Sequence, residues 1–236
     1  MKKKLYQSIT NKFSFNNKNK TSYVQQTKSR DDDDNNNNNN SDRDESVEST
    51  TSKEKLNYNT VKQAIVQRRS VRKYTPHKPP FRLISDIIQS ASQTARPGNI
   101  VSFHTIIIQD KSIIATISNL CYQQSWIAQA PCVLVITSSQ NEMSKLYPDM
   151  ATRFSYQVTA SYITNLLLLI QAAGLSSCWI ESIQEEVLKD YLNIPKSQEI
   201  HAVLPIGYGK EINDAPYTPS FLSLVSFNSY GNKENK

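Results

Sequence analysis

Pro131 opens the run Cys132-Val133-Leu134-Val135-Ile136-Thr137, in which apolar and polar side chains do not alternate. A strand with one face in water alternates, because successive side chains point to opposite sides of the sheet. An unbroken apolar run therefore implies a strand buried on both faces, and any fold of this chain has to cover it from above and below. The rest of the chain supplies the cover. Residues 60–69 read as a helix with Asn59 or Thr60 as its cap, and residues 82–94 as a second, with Leu83, Ile84, Ile87, Ile88 and Ala91 on one face. Residues 102–109 are β-branched and aromatic, and residues 111–122 are helical in pattern. Residues 152–173 form a long helix stopped by Gly174, and its stretch from Leu166 to Ile170 is apolar nearly all round. A short strand at 177–180, a helix at 184–192 and a last strand at 201–207 complete the order α-α-β-α-β-α-β-α-β. That order places helices on both faces of one sheet. A helix apolar on every side has to be buried on every side, which in a domain of this size points to a subunit interface.

Charge separates the chain into parts. Residues 1–30 hold seven Lys and one Arg with no acid, and residues 31–52 hold eight acids and one Arg around a run of six Asn. Such low-complexity sequence lacks the apolar area that offsets the entropy of ordering, so residues 1–52 read as a disordered tail. The expected organisation is that tail, a folded domain over residues 53–231, and a short terminal segment over residues 232–236. The net charge of +6 is therefore largely a tail property, and the domain lacks the dense basic face that a nucleic acid would need. The acid-free N-terminus partly matches a mitochondrial transit peptide, though Lys dominates over Arg, so the expected location is the cytoplasm with the mitochondrion as the alternative. Cys121, Cys132 and Cys178 are odd in number and too far apart for a zinc or CxxC motif, as in a reduced intracellular protein. No stretch is long and apolar enough to span a membrane.

The densest chemical signal is Arg68-Arg69-Ser70-Val71-Arg72-Lys73-Tyr74, closed by Thr75-Pro76. Guanidinium is planar, always ionised and donates paired hydrogen bonds, which suits a phosphate. The other reading is a solvated basic helix end that complements the macrodipole. Three further patterns follow in order. They are Gly98-Asn99 before the strand at 103–109, Gln124-Ser125-Trp126-Ile127-Ala128-Gln129-Ala130-Pro131 leading into its strand, and Asn165-Leu166-Leu167-Leu168 followed by Ala172-Ala173-Gly174-Leu175-Ser176-Ser177-Cys178-Trp179-Ile180. Pro205-Ile206-Gly207-Tyr208 comes near the end.

In order and spacing together, these patterns resemble the FMN-dependent nitroreductase family, over nearly the whole domain. The resemblance implies an α+β, three-layer nitroreductase-like fold, with a central mixed sheet flanked by helices, in an intertwined homodimer with FMN at each of two interfacial sites. By position, Arg68, Arg69, Ser70 and Arg72 would hold the ribityl phosphate and the flavin O2/N1 edge. Gly98 and Asn99 would reach the flavin bound mainly by the partner subunit, while Ile180 and Glu181 would run past its N5 side. The implied activity is an FMN-dependent NAD(P)H oxidoreductase, with NADH or NADPH as donor and a nitroaromatic, quinone or similar small electrophile as acceptor. The flavin does the redox work in such a protein, so no catalytic side chain and no metal ligands are expected. His77, His104 and His201 fit no catalytic set and read as structural.

The chain departs from the family pattern in several places. After Asn99 the loop runs Ile100-Val101-Ser102-Phe103, where a polar group and an indole are usual, and Val158 and Thr164 replace a usual Asp and Gln. After Gly207-Tyr208 the family supplies an Arg or Lys to the phosphate, but residues 213–226 contain no base and only Lys210 lies nearby. Loss of one charge-assisted contact costs on the order of 1.5–3 kcal/mol, unless Lys210, Lys73 or Arg153 stands in. The alternative function is accordingly a catalytically degenerate member of the same fold that binds flavin or another ligand as a dimer.

Overall fold

A computed structural model describes residues 58–211 and 213–234, all within a compact unit spanning Glu54–Lys236. The expectations of disorder and targeting for residues 1–52 fall outside the described residues. Helix α1 (Tyr58–Gln67) and α2 (Phe81–Ala91) precede strand β1 (Phe103–Ile108) and α3 (Lys111–Leu120). Strand β2 (Cys132–Ser138), the short α4 (Asn141–Leu146) and the long α5 (Ala151–Ala172) follow. Then come β3 (Ser176–Ser177), α6 (Glu185–Leu192), β4 (Glu199–Gly207) and the one-turn α7 (Phe221–Leu224), with 3-10 turns at Pro97–Asn99, Ser125–Gln129 and Pro148–Met150.

The strands lie in the order β1-β2-β4-β3. The three ladders are antiparallel, and the one parallel pairing among the described residues is the isolated bridge Ser70–Ser177. Every residue of β2 is buried, as its unbroken apolar run requires. Its alternate side chains divide between two cores. Cys132, Leu134 and Ile136 pack with Ala202, Leu204 and Ile206 of β4 against Ile84 and Ile87 of α2 and Ile163, Leu166 and Ile170 of α5. Val133 and Val135 pack with Val203 against Ile114 and Ile117 of α3 and Leu188 of α6. The result is three layers, α2 and α5 over the sheet over α3 and α6, which is the α+β arrangement expected from the sequence.

Local chemistry fixes the ends that position the site. The Asp110 carboxylate accepts from the N–H groups of Ser112 at 2.8 Å and Ile113 at 3.1 Å, capping α3. At the end of α5, Gly174 takes φ 72°, a left-handed conformation that costs a glycine nothing. Gly174 N–H then donates to Gln171 O at 3.1 Å and Leu175 N–H to Ile170 O at 3.0 Å, a Schellman closure that turns the chain straight into β3.

One element differs from the sequence reading. The strand expected at 177–180 is interrupted: Ser176 and Ser177 pair with Gly207 and Ile206, and Ile180 pairs with Val203 in the same register. The pair between them falls at Pro205, which has no N–H to donate, so the ladder breaks there. Within the Leu166–Ile170 stretch, Leu166, Leu167 and Ile170 are buried in the chain's own core, while Leu168 and Leu169 are half-buried. No helix among the described residues is long and apolar enough to cross a membrane.

Candidate functional site

The Arg cluster leaves α1 as an extended segment clamped on two sides. On one side Val71 N–H donates to Ser177 O at 3.1 Å, which sets the cluster beside β3. On the other, Thr75 N–H donates to Tyr208 O at 2.8 Å and Lys210 N–H to Lys73 O at 2.9 Å, so the chain leaving β4 runs back along it. Val71 and Tyr74 point inward and are buried, whereas Arg72 and Lys73 are exposed. The Tyr74 hydroxyl donates to Val71 O at 2.6 Å and also lies 3.3 Å from Pro205 O, the carbonyl of the residue at which the ladder breaks. Burial pushes the Tyr74 phenol far above its ordinary value, so it stays a neutral donor.

The four cations of the cluster have different duties. Arg69 Nη1 donates to Val66 O at 2.7 Å and Arg68 O at 2.8 Å, and its Nε donates to Asn213 O at 3.2 Å. This guanidinium closes the C-terminal end of α1, where the free carbonyls and the dipole favour a cation. The Lys73 ammonium lies 3.6 Å from Glu211 Oε2. Arg72 sits with its guanidinium carbon 5.8 Å from the centroid of the Trp126 ring, close enough for a cation–π contact. Burial raises the Cys178 thiol, and Arg72, the Ser70 hydroxyl and Arg68 act against the rise. Arg68, Ser70 and Arg72 thus all bear on the surroundings of Cys178, whereas the Arg69 guanidinium is turned toward the helix end.

Ile180 and Glu181 lie on the segment that leaves β3. Ile180 is buried and exchanges hydrogen bonds of 3.1 and 2.9 Å with Val203, leaving Glu181 exposed at the end of the pairing. Glu181 acts electrostatically on His201, whose ring nitrogen Nε2 is 2.7 Å from Ser138 Oγ and whose ring meets Tyr156 edge-on. Burial pushes the imidazole below its ordinary value, and Glu199, Glu185 and Glu181 act in the opposite sense. Gly98 and Asn99 take consecutive left-handed conformations, φ 59° and 56°. A Cβ at Gly98 would lie 2.8 Å from Leu146 Cδ2, the movable tip of an exposed side chain, so the backbone angle rather than the space favours glycine there. Asn99 Oδ1 accepts from Arg96 Nη2 at 2.8 Å. The residues after this turn pack into the Met143, Ala151 and Val158 cluster, whereas Val71 and Tyr74 belong to the cluster around Ile127 and Val133. One chain therefore carries the turn and the Arg cluster on different cores.

The nitroreductase family model matches residues 65–125 and 115–208, a span that holds the Arg cluster, the turn, β3 and β4. The chain belongs to the nitroreductase family. A relative from Archaeoglobus fulgidus, whose name joins NADH dehydrogenase with NAD(P)H nitroreductase, is 25% identical over 154 residues, covering 64% of this chain and 86% of that one. A Thermus thermophilus NADH dehydrogenase is 22% identical over 178 residues, covering 64% and 87%. Among solved structures, the Bacillus subtilis protein described as a hypothetical oxidoreductase superposes with a TM-score of 0.68 at 20% identity, covering 75% of this chain and 76% of that one. The Vibrio harveyi NADPH:FMN oxidoreductase in complex with NAD+ gives 0.66 at 16% identity, covering 72% and 78%. At these identities the superpositions bear on the nitroreductase fold alone.

Within that fold the structure adds residues that the sequence reading passed over. After β4 this chain places Lys210, Glu211 and Asn213. Glu211 Oε1 accepts from Arg72 N–H at 2.7 Å, and Asn213 Nδ2 donates to Ser70 O at 2.7 Å and to the Glu211 carboxylate at 3.3 Å. Trp126 and Cys178 complete the surroundings. A search for a base after Gly207-Tyr208 finds only Lys210, and the acid beside it is a signal only once the pairing of the two segments is seen. The donor set nevertheless fits a phosphate: Arg68 and Arg72 offer guanidiniums, Ser70 a hydroxyl, and the buried Ser177 Oγ has no hydrogen-bond partner among the described residues.

Proposed function

We propose that this protein is an FMN-dependent NAD(P)H oxidoreductase that passes electrons to a nitroaromatic, a quinone or a similar small electrophile. The docking of the Arg68–Arg72 segment beside β3, where Val71 N–H donates to Ser177 O, carries this reading, together with membership of the family. FMN, when bound, supplies the two-electron chemistry between the nicotinamide and the acceptor. Arg68, Ser70 and Arg72 would hold its phosphate and the O2/N1 edge of its ring, where fixed positive charge raises electron affinity. Arg69 would contribute through the backbone that it braces, since its guanidinium already serves three carbonyls. Ile180 and Glu181 would border the ring along its N5 side, with the main chain there held by the Val203 pairing.

Gly98 and Asn99 would enter the site from the partner subunit of a homodimer. Their seat on a separate core from the Arg cluster supports that arrangement. No side chain has to carry a proton or form a bond in the chemical step. The protein's part is to stack two partners against one ring at a fixed distance. NAD(P)H oxidation by the purified protein with added FMN and a quinone or nitroaromatic tests the proposal. Turnover above the free-FMN background that falls at least tenfold in Arg72→Ala supports it, and turnover equal to the background contradicts it.

A second reading has one observation in its favour, the carboxylate of Glu211 lying within the Arg cluster. In that reading the protein is a catalytically degenerate member of the fold that keeps a flavin or another ligand without turnover. FMN retained on the protein with no NAD(P)H oxidation would select it.

A further inference from the structure

The C-terminal segment delivers an anion to the cationic cluster. Glu211 Oε1 accepts from Arg72 N–H at 2.7 Å, and Glu211 Oε2 lies 3.6 Å from the Lys73 ammonium. The carboxylate is kept in place from both flanks. Lys210 N–H donates to Lys73 O at 2.9 Å on one side. On the other, Asn213 Nδ2 binds Ser70 O at 2.7 Å and Glu211 itself at 3.3 Å, while Asn213 O accepts from Arg69 Nε at 3.2 Å. The Glu211 side chain is only 20% exposed, against 69% for Lys73. The Arg72 N–H, followed by Asn213 and Lys73, holds its carboxyl below the ordinary value, so it is ionised at neutral pH. Of the cluster's four positive charges, one is then paired with Glu211 and another is engaged by the end of α1.

We propose that Glu211 is an internal anion that sets the ligand selectivity of the Arg68–Lys73 cluster, weakening its hold on a phosphate and narrowing its preference for FMN over the phosphate-free riboflavin. The inference rests on the flavin reading only for the identity of the ligand. A dianionic phosphate held by the Arg72 guanidinium would lie within one side chain's reach of the Glu211 carboxylate, which accepts from the Arg72 N–H. Repulsion at that range in a partly screened site is worth about a tenfold change in affinity per charge removed. A flavin without a phosphate meets no such repulsion.

The test compares the full chain with Glu211→Gln, which keeps an oxygen for the Arg72 N–H and removes the charge, and with Asn213→Ala, which loosens the segment and keeps the charge. Dissociation constants for FMN and riboflavin are read by flavin fluorescence, and inorganic phosphate binding by thermal shift. The expected result is about tenfold tighter FMN and tighter phosphate in E211Q, riboflavin unchanged, and a gain that shrinks as salt screens the charge. Unchanged or weaker FMN and phosphate binding in E211Q overturns the proposal. So does an equal gain in N213A, because mobility of the segment and not charge would then be the cause. If neither flavin binds either protein while phosphate stabilises E211Q more than the parent, the flavin reading fails and the role of Glu211 stands.

Discussion

The buried Tyr74 hydroxyl ties Val71 O to the neighbourhood of Pro205 O, and so joins the Arg cluster to the break in the β3–β4 ladder. Tyr74→Phe keeps the ring and leaves the Val71 carbonyl without that donor, which should cost about 1–2 kcal/mol. For a domain of this size that is a fall of roughly 2–8 °C in melting temperature, and an unchanged melt would show that the hydroxyl is not the tie. His201 gives a prediction of a different kind. Its imidazole is depressed in the folded state by burial, so below the ordinary histidine value of about 6.5 the unfolded chain binds more protons than the native one. The stability due to its neutral form is therefore present above that value and is lost as pH falls toward the depressed one. Carboxylates remain ionised across pH 7 to 5.5, so denaturant unfolding in that window should show stability falling with pH in the parent and a flatter profile in His201→Gln. Equal slopes would contradict the assignment. At this scale the Arg cluster is legible in the sequence because residue type alone announces the chemistry. Glu211 is not, because its partner Arg72 lies 139 positions away and no local pattern links them.

Strand β2 and helices α2 and α5 are legible in the sequence because each is decided by its own apolar pattern. The length of β3 is not, since it depends on which residue of β4 stands opposite. The donor missing at Pro205 ends the pairing two residues after it begins, whatever the local preference of Cys178 and Trp179. Helix α4 escapes the sequence reading because its six residues bury one side chain, Met143, and show no period. The Gly98–Asn99 turn is legible as a turn, but its packing against Leu146 and Tyr147 is a tertiary fact. Gly98→Ala forces a Cβ into a left-handed residue, which should cost about 1–3 kcal/mol. A melting temperature equal to that of the parent would show that the turn relaxes freely.

On the scale of the molecule, one chain leaves apolar surface uncovered. Helix α1 buries no residue, and Val61, Ile65 and Val66 are 50%, 56% and 59% exposed. Phe221, Leu222 and Leu224 of α7 are likewise exposed. In the proposed arrangement, a homodimer that covers these faces would also bring Gly98 and Asn99 of one subunit to the Arg cluster of the other. Sedimentation of the purified protein should therefore give a dimer, and Ile65→Asp should loosen it and weaken FMN binding together, whereas a monomer that binds FMN with full affinity would refute the shared site. The central claim is that the cluster headed by Arg68 is a flavin site. Its most direct test is the absorption spectrum of the purified protein after incubation with FMN and gel filtration. The account predicts a yellow protein that carries one FMN per chain, is bleached by NADH or NADPH, and loses the flavin in Arg72→Ala; a protein that leaves the column colourless would contradict it.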